Sequence, residues 1–245
     1  MLIKFFEPQY AQMFLDGNLY FKNTGYFIDL EKKYGDKGIG DKYEGSHFQH
    51  FDPTIGEISI GVPGGQMHKL NVTKAFFTKK YEVVRQFQLT CFTGIFEEDM
   101  EHIEDDTQKI KNKIIEYLKK EFPGRIPILI TDEHEFFDRL HNALQEKDIH
   151  AYHGRVKYFD EHAESPLKEE NYEKDITQAF FYKRNFFKAQ KEYRIITSHP
   201  VDGDSLTVNL GDISDVVLNL ESADTLEKIK MKKVEEGLLL SIDAE

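Results

Sequence analysis

The order of strand-like and helix-like segments is the feature that most constrains the fold of this chain. Short apolar runs with alternating polar neighbours indicate strands, and apolar residues three or four positions apart indicate helices. The two types mix without a regular strand–helix–strand rhythm, which argues against a doubly wound parallel sheet. We therefore predict an α+β fold in which mixed, largely antiparallel sheets are flanked by helices. One domain is expected over residues 1–245, with a possible surface excursion or lid at 161–174.

The same periodicities predict individual segments. Strands are expected at 2–6, 19–21, 83–92, 126–130 and from Glu192 onward. Helices are expected from Pro8 to about Gly17, over 26–34, over 110–118, from Asp132 and over 176–188. Four glycines between residues 35 and 45 mark a loop. The carboxylates of Asp41 and Glu44 in this loop either orient a ligand or are solvated on a surface turn, and the second alternative is the simpler one.

Charge and cysteine content restrict the class of partner. The net charge of −12 argues against a general nucleic-acid or anionic-membrane surface, because phosphate binding needs clustered Lys and Arg. No run of 18 apolar residues occurs, so no membrane span is expected. The apolar start is interrupted by Lys4, Glu7 and Pro8, which is unlike a signal peptide. Cys91 is the only cysteine and permits no internal disulfide, which fits a cytoplasmic location.

Metal and nucleophile motifs are weak. Acidic and histidine residues between 41 and 52 are separated by Gly and Pro and share no helix face, and His134, Asp138 and His141 equally suit an exposed polar face. No metal site is therefore predicted. Cys91 lies in an apolar strand segment, where a buried and inert thiol is the expected state.

Residues 180–196 combine aromatic and basic side chains and end at a strand that begins Gln190-Lys191-Glu192. Such a mixture suits stacking of a base and binding of phosphates. A structural alternative explains it as well. The aromatic residues would then pack on a sheet, and Glu192 and Arg194 would form an ion pair on one side of a strand.

The chain resembles a group of bacterial and phage proteins, the DUF2971-like family. The resemblance is scattered over most of the chain. The segments that carry it are residues 19–27, the loop Gly40-Asp41-x-x-Glu44-Gly45, Gly154-x-Val156-x-Tyr158, Lys183 with Phe187, and Lys191-Glu192-Tyr193-Arg194-Ile195. Two departures from the family pattern stand out. Gln190 replaces the first acidic residue of Glu-x-Glu-Tyr-Arg, and the tryptophans usual in the family are missing.

A looser resemblance is to ADP-ribosyltransferases, whose pattern is an aromatic–basic strand, a Ser/Thr-bearing strand and a [Gln/Glu]-x-Glu strand. It implies NAD as cofactor, a nucleotide ligand and a protein acceptor or target. Glu192 would be catalytic and Gln190 would place the acceptor. The residues implied to bind the cofactor are Tyr20, Lys22, Thr90, Thr93 and Arg194. Lys22 stands where the pattern has Arg or His.

A second function remains open at this point. The same aromatic–basic segment suits a non-enzymatic protein that sequesters a nucleotide signal or blocks a protein partner in phage–host conflict. Binding without turnover would distinguish that protein from an enzyme.

Overall fold

The computed structural model describes residues 1–35, 38–104, 106–234 and 237–242. The α-helices of these ranges are α1 (Pro8–Leu15), α2 (Thr24–Tyr34), α3 (Asn112–Glu121), α4 (Glu133–Gln145) and α5 (Glu169–Lys174). Short 3-10 helices cover Glu82–Gln86, Glu97–Asp99, Ile176–Phe181, Asn185–Gln190 and Ala223–Lys228.

The strands of the described ranges are short and follow one another through most of the chain. They are β1 (Leu2–Phe6), β2 (Asn18–Asn23), β3 (His47–Phe51), β4 (Ile58–Ile60), β5 (His68–Leu70), β6 (Ala75–Lys79), β7 (Gln88–Gly94), β8 (Met100–Glu104), β9 (Thr107–Ile110), β10 (Ile126–Ile130), β11 (Ala151–Arg155), β12 (Lys157–Phe159), β13 (Tyr182–Arg184), β14 (Glu192–Thr197), β15 (Ser205–Asn209), β16 (Val217–Asn219), β17 (Ile229–Val234) and β18 (Gly237–Ile242).

Eight of the described strands form one sheet, in the order β11-β14-β7-β1-β10-β16, with β2 attached to β7 and β15 attached to β2. Each strand pair in this sheet is antiparallel. Strand β7 changes partner along its length. It pairs with β2 at Gln88 and Leu89, and with β1 at Thr93 and Gly94. The sheet therefore forks along the middle of β7.

Both faces of the sheet are covered. On one face, Leu2, Phe92 and Ile195 pack with residues of α1 and α4. The opposite face carries two apolar clusters. One surrounds Ile3 and contacts α3, and the other surrounds Leu89 and contacts α2. Side chains alternate between the two faces of the sheet along β7. In the segment of β7 between the two clusters, polar side chains therefore point to this covered face and are buried.

The predicted α+β fold with mixed, largely antiparallel sheets flanked by helices is confirmed. The helix predicted over 26–34 is present as α2. Its first turn is capped by the Asn23 side chain, which accepts from the Tyr26 N–H at 2.9 Å. It ends at Gly35, whose φ of 69° is in the left-handed region that favours glycine.

Two local predictions need correction. The single helix over 176–188 is wrong, because two 3-10 helices there are separated by β13, which pairs in parallel with β12. This tertiary pairing outweighs the helical spacing of the apolar residues. The strand predicted at 83–92 begins only at Gln88, after a 3-10 helix. Within 161–174, Leu167 and Tyr172 are buried, so this segment is anchored to the rest of the fold.

Among the described residues, no helix combines the length and the apolar character needed to cross a lipid bilayer.

Candidate functional site

The start of β14 lies directly beside β7. Glu192 is opposite Thr93, and Arg194 is opposite Cys91. Residues that face each other across antiparallel strands project their side chains to the same face of the sheet. These four side chains therefore share the face that carries the two apolar clusters around Ile3 and Leu89.

Glu192 is buried and receives hydrogen bonds from two cations. Lys183 donates to its Oε1 atom, and Arg194 Nε donates to Oε2 at 2.6 Å. The Cys91 thiol lies 3.5 Å from the same Oε2 atom. The ion pair between Glu192 and Arg194, expected in the structural alternative, is confirmed.

Arg194 connects β14 to the glycine-rich loop. Its two terminal nitrogens donate to Glu44 at 2.6 and 2.9 Å, and one of them also donates to the Phe180 carbonyl at 2.5 Å. The guanidinium of Arg194 is 1% exposed, so this bidentate pair is removed from solvent. Together with Lys183 and Glu192, the network contains two basic side chains and two carboxyl groups. Burial raises the pKa of the Glu44 carboxyl, and Arg194 opposes that shift.

The charge state of Glu192 depends on its burial and on its two cationic neighbours. Burial alone would raise the pKa of Glu192, but the positive charges of Arg194 and Lys183 outweigh burial and lower that pKa to about 2. Burial also opposes the charged form of Arg194, yet the carboxylates of Glu192 and Glu44 hold its pKa well above the usual value. Glu192 is therefore an ionised carboxylate at neutral pH.

A second ion cluster adjoins the first through the neighbouring residue of β13. Arg184 donates to Glu31 at 3.0 Å and to Asp41 at 2.9 Å, and it lies 3.5 Å from Glu161. The prediction that Asp41 and Glu44 are solvated is therefore wrong, because both are buried by their arginine partners. The glycine-rich loop is attached to the core by ion pairs.

Gln190 and Glu192 are brought together by Lys183, which donates to Gln190 Oε1 at 3.0 Å as well as to Glu192. The Gln190 amide nitrogen donates to the Gly38 carbonyl at 2.6 Å and to Glu121 at 3.0 Å. The intervening Lys191 has a φ of 49°, a left-handed conformation that turns the chain between the two side chains.

Two of the predicted cofactor residues lie elsewhere. Tyr20 and Lys22 are on β2, and the Lys22 amine contacts the ring of Tyr26 at 5.0 Å. Lys22 faces Leu89, four residues before Thr93, which separates it from Thr93 by about 13 Å along the strand. The structure brings Gln190, Glu192, Arg194 and Thr93 together, and it separates Tyr20 and Lys22 from them.

Thr90 projects to the opposite face of the sheet from Glu192. Its hydroxyl accepts from the Lys4 amine at 2.7 Å, and the same amine donates to the Cys91 carbonyl at 2.7 Å. Cys91 lies at the fork, where β7 pairs with neither β1 nor β2. Lys4 therefore satisfies a backbone acceptor that has no partner from a strand on that side.

The environment of the Lys4 amine predicts that the stability of the folded protein depends on pH. Burial lowers its pKa from 10.5 to about 8, and it makes no ion pair with any described residue. Below pH 8 the buried charge is present and destabilises the fold. As pH rises from 8 toward 10.5, the folded protein releases this proton and the unfolded chain keeps it, so stability rises. Wild type should gain about 2 kcal/mol relative to Lys4→Met between pH 7.5 and 9.5.

Urea denaturation of wild type and Lys4→Met at both pH values measures this difference. The variant keeps the other titrating groups, so their contributions cancel in the comparison. A difference between the two proteins that stays constant with pH would contradict the assignment.

Sequence reasoning missed two residues that contact the candidate site. Glu44 is not predicted as a partner of Arg194, since no local signal marks an ion pair with a residue 150 positions away. Tyr158 appeared only as part of a family motif, yet its hydroxyl accepts from the Glu192 N–H at 2.8 Å. Cys91 was predicted to be buried but is only partly buried, and burial raises the pKa of its thiol to about 12, which disfavours the reactive thiolate.

Among the described residues, no group of three or more His, Cys, Asp or Glu side chains is placed to hold a metal ion. No family model, curated protein or solved structure matches the chain.

Proposed function

We propose that this protein binds an NAD-type nucleotide and performs glycosidic transfer in the manner of an ADP-ribosyltransferase, with the carboxylate of Glu192 at the reacting sugar. One observation carries the proposal. An ionised carboxylate at the start of β14 lies opposite Thr93 and shares Lys183 with Gln190. The Thr-bearing strand and the Gln-x-Glu strand of the resemblance are thus direct neighbours.

In this reaction the bond between the nicotinamide nitrogen and the ribose C1′ atom breaks, and nicotinamide leaves with the bonding electrons. Positive charge develops on the ribose, and an acceptor nucleophile then forms the new bond to C1′ and releases its proton to solvent. The negative charge of Glu192 stabilises the developing charge, and its oxygen accepts a hydrogen bond from a ribose hydroxyl. A carboxylate has about four acceptor positions, and Lys183, Arg194 and the weak Cys91 donor use three of them.

The structure changes the role assigned to Arg194. Its nitrogens donate to Glu192, Glu44 and the Phe180 carbonyl, so it holds the carboxylate in its ionised state and is not free for a pyrophosphate. Lys188 is exposed and makes no ion pair with any described residue, so it takes the pyrophosphate in this proposal. Gln190 would place the acceptor, and Thr93, opposite Glu192, would support the ribose.

A non-enzymatic binding protein is the second candidate, and the burial of Glu192 favours it. A carboxylate paired with two cations and almost closed to solvent also serves as a structural ion pair. The ligand would then be held by exposed groups of the same segment, such as Phe186, which is 66% exposed, and Lys188. Such a protein would sequester a nucleotide signal or block a protein partner.

The wider context belongs to the same proposal. The motif resemblance supports membership of the DUF2971-like family and a role in phage–host conflict. The unpaired thiol of Cys91 supports a cytoplasmic location, where thiols stay reduced. A protein acceptor would be supplied by the same compartment.

Nicotinamide release distinguishes the two candidates. The protein is incubated with NAD in cell lysate, which supplies acceptors, and nicotinamide is quantified by mass spectrometry. Calorimetric titration with NAD measures binding in parallel. Release above the lysate background supports the transfer reaction. Saturable binding without release supports the binding protein, and the absence of both contradicts an NAD-type ligand.

A further inference from the structure

A groove of about 530 Å³ lies on the small sheet formed by β3 and β6, apart from Glu192. His50 is directly opposite Phe76 in this sheet, so their side chains share one face. Lys74 lies immediately before β6 and lines the groove beside Phe76. The centroid of the His162 ring, in the chain after β12, is 6.2 Å from that of the Phe76 ring. With Ala75, these residues line the groove.

The lining residues are basic although the chain is acidic. Lys74 is exposed and makes no hydrogen bond or ion pair with any described residue. His50 Nδ1 is buried and has no hydrogen-bond partner among the described residues. The groove therefore offers an ammonium and two imidazoles, and no carboxylate is part of its lining.

The carboxylates of Asp160, Glu161 and Asp52 lie close to the groove, and each has another partner. Asp160 Oδ1 accepts from the backbone N–H of His162 at 2.9 Å. Glu161 is 3.9 Å from His162 Nε2 and is closer to Arg184, at 3.5 Å. Asp52 lies near His50, and its Oδ1 atom accepts from the Thr54 N–H at 2.8 Å and from the Thr54 hydroxyl at 2.7 Å. The charges of these carboxylates are thus partly compensated by other groups. The hydrogen-bond donors of the groove can therefore bind an external anion.

We propose that this groove binds a small phosphate-bearing ligand, with the phosphate on Lys74 and the two imidazoles and the apolar part of the ligand against Phe76. A phosphate accepts several hydrogen bonds and gains most from a charged donor. The groove volume lies within the range of about 300–1,000 Å³ that is common for small-molecule sites. This site is separate from the Glu192 proposal and stands without it.

Phenyl phosphate, inorganic phosphate and phenol are the probes. Calorimetric titration measures affinity, and the imidazole nitrogen chemical shifts of His50 and His162 locate the ligand. Phenyl phosphate is expected to bind saturably and more tightly than phosphate, and to shift both imidazole signals. Lys74→Gln should weaken phenyl phosphate by about tenfold or more, because it removes the charged donor.

Lys69→Gln is the matched control, since Lys69 is exposed, pairs with Glu57 and lies outside this groove. Its affinity for phenyl phosphate should equal that of wild type. Three results would overturn the proposal: equal weakening by both variants, phenol binding as tightly as phenyl phosphate, or no saturable binding. The exposed position of Lys74 leaves the fold of both variants intact.

Discussion

Replacement of Arg194 by methionine is expected to lower the free energy of unfolding by about 3–5 kcal/mol. The variant keeps most of the side-chain volume but removes the cation shared by Glu44 and Glu192. Both carboxylates are buried, and Lys183 is the only cation that would remain on Glu192 among the described residues. Most of this loss comes from a buried carboxylate that no longer has a cationic partner. The loss is therefore larger than the net stability that the intact ion pair contributes to the wild-type protein.

Arg139→Met is the matched control for this prediction. Arg139 also holds a carboxylate in bidentate fashion, with distances of 2.8 and 2.6 Å to Asp215, but that carboxylate is 61% exposed. Water replaces the lost partner there, and the expected loss is about 1 kcal/mol or less. Urea denaturation at pH 7 measures both variants.

A double variant separates lost charge from lost packing. Arg194→Met with Glu44→Gln also removes the carboxylate that loses its cationic partner, so it should recover part of the stability lost in Arg194→Met. Equal losses at Arg194 and Arg139, or a further loss in the double variant, would contradict the role given to the buried network.

Local patterns were sufficient for the ion pair within β14 and for the fold class. Glu192 and Arg194 are two positions apart in a strand, and alternation alone places them on one side. The helix α2 carries its own signals, a capping Asn23 and a terminal Gly35. Such features depend on neighbours within a few residues, and the sequence shows these directly.

Contacts between distant segments could not be predicted in the same way. Glu44 meets Arg194 only because the loop folds over the face of β14, and glycine-rich loops usually lie in solvent. Residues 176–188 have helical spacing of apolar side chains, yet pairing of β13 with β12 decides their conformation. Lys22 stands at the basic position of the resemblance, where the pattern has Arg or His, but the fork in the sheet places β2 away from Glu192.

Glu192 lies between two apolar clusters, and this position explains why the carboxylate depends on oppositely charged partners. Thr93 lies on β7 between Cys91, which packs with the Leu89 cluster, and Ile95, which packs with the Ile3 cluster. A charge at this place needs partners from other segments, and β13 and the glycine-rich loop supply them. The same surroundings exclude water, which strengthens the electrostatic effect of the carboxylate on any bound ligand.

Glu192→Gln is expected to reduce nicotinamide release by a factor of about 10²–10³, which is typical for the loss of one preorganised electrostatic contact to a transition state. The amide keeps the shape of the side chain and removes its negative charge. Binding of NAD should change much less, because the charge acts on the positive ribose that develops during bond cleavage. The release rate at saturating NAD and the calorimetric affinity measure the two effects separately.

Glu44→Gln supplies the control for the structural consequences of Glu192→Gln. It likewise removes a carboxyl group from Arg194, but Glu44 accepts from the two terminal nitrogens of Arg194, whereas Glu192 accepts from Nε. Both variants should lose comparable stability, and both are assayed at a temperature at which denaturation curves show them folded. Because Glu44 does not reach the ribose in the proposed reaction, its variant should keep far more activity than Glu192→Gln. Equal loss of release in the two folded variants would show that Glu192 acts only through the ion network, and the catalytic assignment would be wrong.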